Sequence, residues 1–176
     1  MDENLEYLIV GGGCFWCLEA YFSEVSGVRS VVSGYCGGHT ENPDYRAVCS
    51  GQSGHAEVVR LSFNPNQIDC HTLLTLFFEL HDPTTLNRQG HDVGTQYRSV
   101  IFYSSEAQQK VAQALIFELT ARQAKGTPLV TELMPASRFF AAEEEHQNYF
   151  ARHPEAAYCQ VLIAPKLARF RARHAK

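Results

Sequence analysis

Leu8-Ile9-Val10-Gly11-Gly12-Gly13-Cys14-Phe15-Trp16-Cys17-Leu18-Glu19 is the stretch on which the rest of the chain is organised. An apolar run ends in three glycines, and a cysteine then opens a helix. Glycine takes positive φ and lets other groups approach the backbone, so the pattern predicts a strand, a tight turn and a helix start. A cysteine at a helix start lies near unpaired N–H groups and the positive end of the helix dipole. That placement is expected to lower the thiol pKa of Cys14 and favour the nucleophilic thiolate. Phe15 and Trp16, the single tryptophan of the chain, suggest an apolar pocket beside it. Against this stands the plain alternative that cysteine is among the most buried residue types and simply packs.

Working outward, Leu5–Val10 reads as a buried strand, and 14–26 as a helix closed by Gly27. Val28–Tyr35, rich in β-branched residues, reads as a second strand. A long loop follows over 36–55, and long ordered loops in compact domains are often functional. Ala56–Phe63 alternates as a strand, and Asp69 caps a helix to about Leu80. The segment 81–98 reads as a second polar loop. Ser99–Tyr103 is a strand, and Ser105 with Gln108 forms a capping box for a helix to about Lys125, closed by Gly126. Beyond lie a weaker strand over 129–133, a short helix over 142–152 and an extended piece over 158–164. Lys166 to Lys176 reads as a solvated basic tail. The order β-α-β-β-α-β predicts an α/β fold with a ferredoxin-like core, wrapped by extra helices and long ordered loops.

The 176 residues fit one domain over 1–176. Net charge is −4, which gives no basic footprint for nucleic acid. No run reaches the roughly 18 apolar residues of a membrane span, and the acidic start Met1-Asp2-Glu3-Asn4 lacks the positive flank of a secretory signal. A cytoplasmic protein is expected, in which the six cysteines are free, metal-bound or catalytic.

Cys14 and Cys17 form a Cys-x-x-Cys pair with three readings: a redox motif, half a zinc site, or a lone nucleophile with Cys17 packing. Zinc needs a second ligand pair, and Cys36, Cys49, Cys70 and Cys159 are solitary. The bulky Phe-Trp between the cysteines suits a hydrophobic binding surface better than an oxidoreductase spacer. Glu57 sits in an apolar strand. Buried without a cation it would stay protonated and could donate a proton; on the polar face it would be an ordinary surface carboxylate. Tyr35, Tyr97 and Asp92 lie in or beside the polar loops, where hydroxyls can cradle a developing oxyanion. His55, His91 and His146 are candidate bases or structural hydrogen-bonders.

Taken together, Gly13-Cys14-Phe15-Trp16, Gly34-Tyr35-Cys36-Gly37-Gly38, Val48-Cys49-Ser50-Gly51, Gly54-His55-Ala56-Glu57, His81-Asp82-Pro83-Thr84, Asn87-Arg88-Gln89-Gly90, Asp92 through Ser99 and His146-Gln147-Asn148-Tyr149 resemble the methionine sulfoxide reductase A family. The resemblance implies a two-layer α/β sandwich and a reductase of (S)-methionine sulfoxide, free or in proteins. It implies Cys14 as nucleophile, Glu57 as acid, Tyr35 and Tyr97 as hydrogen-bonders of the sulfoxide oxygen, and Asp92 as a supporting and substrate-binding group. Phe15 and Trp16 would hold the substrate methyl group. Cys14 would become a sulfenic acid, condense with a second thiol, and be reduced by thioredoxin, or by dithiothreitol in vitro, with no metal or organic cofactor. A monomer is expected. Cys159 matches the family's familiar resolving position, with Cys17 as rival and Cys36 third; Cys49 and Cys70 are expected to pack. The other readings are a thiol–disulfide oxidoreductase using Cys14 and Cys17, and a zinc module.

Overall fold

In a computed structural model that describes residues 4–123 and 126–174, alternating apolar side chains build a sheet with one face against helices. The strands are β1 (Glu6–Gly11), β2 (Val28–Cys36), β3 (Ala56–Phe63), β4 (Arg88–Gln89), β5 (Asp92–Val93), β6 (Val100–Tyr103), β7 (Glu132–Pro135) and β8 (Phe140–Ala141). The helices are α1 (Phe15–Phe22), α2 (Tyr45–Cys49), α3 (Cys70–Leu80), α4 (Glu106–Arg122), α5 (Tyr149–Arg152) and α6 (Ala164–Arg173). The main sheet runs β7-β6-β1-β3-β2-β8, and β4 pairs with β5 as a separate small hairpin. Its four inner strands, β6-β1-β3-β2, pair antiparallel throughout. This is the ferredoxin-like order expected from β-α-β-β-α-β. The edge strand β7 adds parallel to β6.

The period of two sorts each strand between the faces. Leu8 and Val10 of β1, Tyr35 of β2, and Val59, Leu61 and Phe63 of β3 join the helix-covered core. Ile9, Cys36, Ala56, Val58, Val100 and Phe102 form a second cluster on the opposite face. Glu57 has the parity of Val59 and Leu61, so it points toward α1. β3 is central and buried on both faces, which overrides the half-exposed strand that its alternation suggested.

Caps behave as the sequence dictates. Asp69 accepts the Thr72 N–H at 2.8 Å, and Ser105 accepts the Gln108 N–H at 3.2 Å. The Gln108 amide accepts from Ser104 N–H and donates to the Tyr7 carbonyl, tying α4 to β1.

Several elements differ from expectation. α1 ends at Phe22, where the Ser23 hydroxyl bonds back to the Glu19 carbonyl at 2.6 Å. The first loop contains α2, capped by Asp44. The second contains the hairpin β4–β5 and a 3₁₀ turn over Thr95–Tyr97. α4 ends at Arg122; the expected end near Lys125 lies outside the described residues. The strand expected over 129–133 is shifted to β7. In place of one helix over 142–152 there is a 3₁₀ turn, Glu144–His146, and then α5, separated by Asn148 in the left-handed region at φ 54°. The segment expected as extended is a π-helical turn, Cys159–Ile163, that runs into α6. The basic run is not a solvated tail: its Leu167 and Phe170 are buried against the core, although Met1 to Glu3 and the final two residues lie outside the described part. Among the described residues no helix is long and apolar enough to cross a membrane.

Candidate active site

The three glycines carry β1 into α1. Gly13 takes φ +92° and donates its N–H to the Tyr97 carbonyl at 3.2 Å. Gly12 lies flat on the His81 ring, where a Cβ would come within 2.7 Å. Cys14 is the N-cap residue, extended at φ −69°, ψ 131°, rather than a member of the first turn. Its carbonyl accepts the Cys17 N–H at 3.1 Å, so Cys17 sits one turn on and on the same side. The Cys14 and Cys17 thiols are neighbours, each the other's strongest side-chain influence.

Contrary to the expected lowering, the Cys14 thiol is held well above its ordinary value. Burial is the main cause, followed by the hydrogen bond to Cys17 and the neighbouring Glu57. Desolvation of an anion outweighs the helix terminus here. Cys17 is lowered instead, chiefly because its thiolate accepts the hydrogen bond from Cys14.

Glu57 resolves the question left by its strand. It is 1% exposed, and burial pushes its carboxyl up to about 8 despite the 3.2 Å hydrogen bond that Oε1 accepts from the Phe15 N–H. Its Oε2 is buried without a hydrogen-bond partner. At neutral pH the group is therefore a neutral acid beside Cys14, with one oxygen unengaged.

Tyr35 pairs directly with Glu57 across β2 and β3, and its ring centroid is 5.7 Å from that of Phe15. Its hydroxyl donates to Glu143 at 2.9 Å. Tyr97 is half-buried; burial first, and then Glu57, raise its hydroxyl above the ordinary range. Asp92, on β5, accepts from Tyr158 Oη at 2.8 Å. Phe15 is fully buried, whereas Trp16 is half-buried and stacks on Tyr149 at 3.7 Å with its indole N–H donating to His146 Nδ1 at 3.3 Å. Sequence reasoning missed Tyr158 and Glu143; the His146-Gln147-Asn148-Tyr149 run pointed to the rest of this wall. Glu19 holds that run in place by accepting the Asn148 N–H and the Ser33 hydroxyl.

The cysteines separate clearly. A partly enclosed cavity of about 80 Å³ is lined by Cys14, Cys17, Asp92, Tyr158 and Lys166, among others, but not by Cys159. Cys159 is fully buried in the π-helical turn. Cys36 lies on the opposite face of the sheet from the Cys14 side, which removes it as a partner. Cys70 is buried, with its thiol pushed up to about 12 by burial. Cys49 is exposed at the end of α2 rather than packed. All six cysteines are free. His55 bonds the Gly38 N–H and the Thr40 carbonyl, so its role is to brace the first loop. His91 is exposed at the tip of the hairpin beside the cavity. Among the described residues, the group with metal-ligand character is Glu143, Glu145 and His146, which contains no cysteine. Glu143 and His146 already serve Tyr35, Tyr45 and Trp16.

A family profile described as peptide methionine sulfoxide reductase matches residues 6–176. A curated relative from Chromobacterium violaceum, peptide methionine sulfoxide reductase MsrA, is 59% identical over 169 residues, covering 96% of each chain. The structure of methionine sulfoxide reductase A of Corynebacterium diphtheriae superposes with a TM-score of 0.83 at 34% identity, covering 88% of this chain and 78% of that one. Mxr1 from Saccharomyces cerevisiae in reduced form gives 0.81 at 34% identity, covering 88% and 89%.

Proposed function

The chain belongs to the peptide methionine sulfoxide reductase family and is an enzyme of that activity, and from that premise we propose how its residues carry out the reaction. The observation that carries the reading is the buried, protonated Glu57 with an unengaged oxygen next to Cys14. A buried polar atom without a partner calls for one, and a sulfoxide oxygen is the acceptor that a carboxylic O–H lacks here. Tyr97 and Tyr35 supply hydroxyls on the same side, and Trp16 with Phe15 offers the apolar wall for the substrate methyl group.

Cys14 passes its proton to the neighbouring Cys17 sulfur and attacks the sulfoxide sulfur. Glu57 protonates the oxygen, which transfers to the Cys14 sulfur as the sulfur–oxygen bond of the substrate breaks. Methionine leaves, and Cys14 is a sulfenic acid. A second thiol attacks that sulfur, the disulfide forms and water leaves. Of the two candidates, Cys17 is favoured over Cys159 because it shares the cavity with Cys14 and lies one helical turn away. A dithiol reductant, thioredoxin in the cell or dithiothreitol in vitro, then exchanges with the disulfide. We place this activity in one domain acting as a cytoplasmic monomer, without a cofactor.

The test is turnover of the S and R epimers of a methionine sulfoxide peptide with dithiothreitol and then with thioredoxin, in wild type, Cys17→Ser and Cys159→Ser. S-only turnover, with a sulfenic acid persisting in Cys17→Ser, is expected. A sulfenic acid that persists in Cys159→Ser instead would return the resolving role to Cys159.

A further inference from the structure

The resolving step makes one chemical demand: Cys17 must become a thiolate within a partly enclosed space. The cavity beneath Cys14 is small, about 80 Å³, and is walled by α1, the β4–β5 hairpin and the start of α6. On the hairpin side His91 and Asp92 face it, and Tyr158 enters from the turn before α6. Cys14 and Tyr21 line it from α1, while Glu57 and Cys159 interact with Cys17 from β3 and the π-helical turn. Among these charged and titratable groups, Lys166 is the one lysine or arginine.

Tyr158 Oη is 3.8 Å from Cys17 Sγ and 2.8 Å from Asp92 Oδ2, to which it donates. Its single proton is thus shared between Asp92 and Cys17, and Tyr158 lowers the Cys17 thiol while Asp92 raises it. Asp92, which lines the cavity, opposes an anion there. A cation is needed to balance it.

We propose that Lys166 is a positioning residue for the resolving step, placed by the first turn of α6 to hold Cys17 as the attacking thiolate. The proposal rests on Cys17 as the resolving thiol. In that step the Cys17 thiol gives up its proton, the Cys17 sulfur bonds to the Cys14 sulfur, the Cys14 sulfur–oxygen bond breaks, and the departing hydroxide takes up the proton released by Cys17 to become water. The charges around Cys17 agree in direction: the hydrogen bond from Cys14 lowers its thiol most, burial opposes, Tyr158 and Lys166 lower it further and Asp92 raises it. The assignment also explains why a basic helix, rather than a flexible tail, closes this side of the molecule: Leu167 and Phe170 anchor α6 in the core while the adjacent Lys166 borders the cavity.

The experiment uses the full chain as wild type, Lys166→Met, Lys166→Arg and Cys17→Ser. Thiolate absorbance at 240 nm is titrated against pH in the reduced protein, and disulfide formation is followed by rapid quench after one equivalent of S-sulfoxide peptide. For an exposed cation on the wall of the same cavity, Lys166→Met should raise the thiolate midpoint by about half a pH unit and slow disulfide formation about threefold at neutral pH, with Lys166→Arg close to wild type. Lys166 is exposed, so thermal melts of the variants should match wild type. An unchanged midpoint and rate in Lys166→Met, with both still dependent on Cys17, overturns the role of Lys166 alone. Disulfide formation at the wild-type rate in Cys17→Ser overturns the resolving assignment itself.

Discussion

Glu57→Gln offers the sharpest separation of the site's electrostatics from its packing. Glutamine matches the shape of glutamate and keeps an acceptor for the Phe15 N–H, but it cannot ionise. In the folded protein the Glu57 carboxyl is pushed up to about 8 from an ordinary 4.5, mainly by burial. The rise of about 3.5 corresponds to roughly 5 kcal/mol once the group is ionised in the unfolded chain and still resists ionisation in the folded one. The folded state binds this proton more tightly than the unfolded state. Stability is therefore complete below about pH 4.5 and is lost as pH climbs toward 8. Linkage gives a loss of about 2–3 kcal/mol between pH 5 and 7 and about 1 kcal/mol more by pH 8. Urea unfolding of wild type and Glu57→Gln at these three pH values measures it, because other titrating groups are common to both proteins. The wild type should fall relative to the variant by that amount. In single-turnover assays the variant should form methionine slowly across the range, whereas wild type should lose rate as pH rises through about 8 and the acid is spent. A stability difference constant within about 0.5 kcal/mol from pH 5 to 8 would refute the buried, protonated acid.

Two further outcomes follow from packing. Trp16→Phe removes the 3.7 Å stack on Tyr149 and the indole hydrogen bond to His146, together worth about 1–2 kcal/mol. The KM for a sulfoxide peptide should rise about tenfold with kcat little changed, and an unchanged KM would remove Trp16 from the substrate wall. Leu167→Ala empties a buried site of α6 and should cost about 2–4 kcal/mol, read as a Tm lowered by about 5–10 °C in a chain of this size; a Tm within 1 °C of wild type would return this segment to a solvated tail.

The core strands and the long helices were legible because their signals are local and redundant. Strand parity, a capping Asp69 and a capping Ser105 each act within a few residues. Parity also fixes the site: once Val59 and Leu61 are on the helix face, Glu57 must join them, and Tyr35 follows by register with Glu57. The C-terminal third was less legible. Ile163, Leu167 and Phe170 have helical spacing, but Pro165 reads as a breaker unless it falls in the first turn, where it does fall. The break at Asn148 depends on a left-handed backbone held by the side chain of Glu19, 129 residues away in sequence, and no local pattern announces it. Tyr158 and Glu143 were missed for the same reason, since their roles exist only once distant segments meet.

The reversal at Cys14 shows how the site functions as a whole. A helix N-terminus was expected to make this thiol acidic, yet burial beside Glu57 and Cys17 keeps it protonated. An idle thiolate there would be open to oxidation, and it would also repel an ionised Glu57. In the resting site Cys14 and Glu57 both favour their protonated forms, and Cys17, one turn away, is the thiol that ionises more readily. A sulfoxide changes that balance with one group, because its oxygen accepts from Glu57 while its electron-poor sulfur faces Cys14. Only then does moving the Cys14 proton to Cys17 cost little, since the charge formed at Cys14 is consumed in the bond to sulfur. The same displacement leaves Cys17 beside a sulfenic acid, ready to lose the proton again and close the disulfide. Activation of the nucleophile is thus tied to the presence of substrate by the desolvation that hides it.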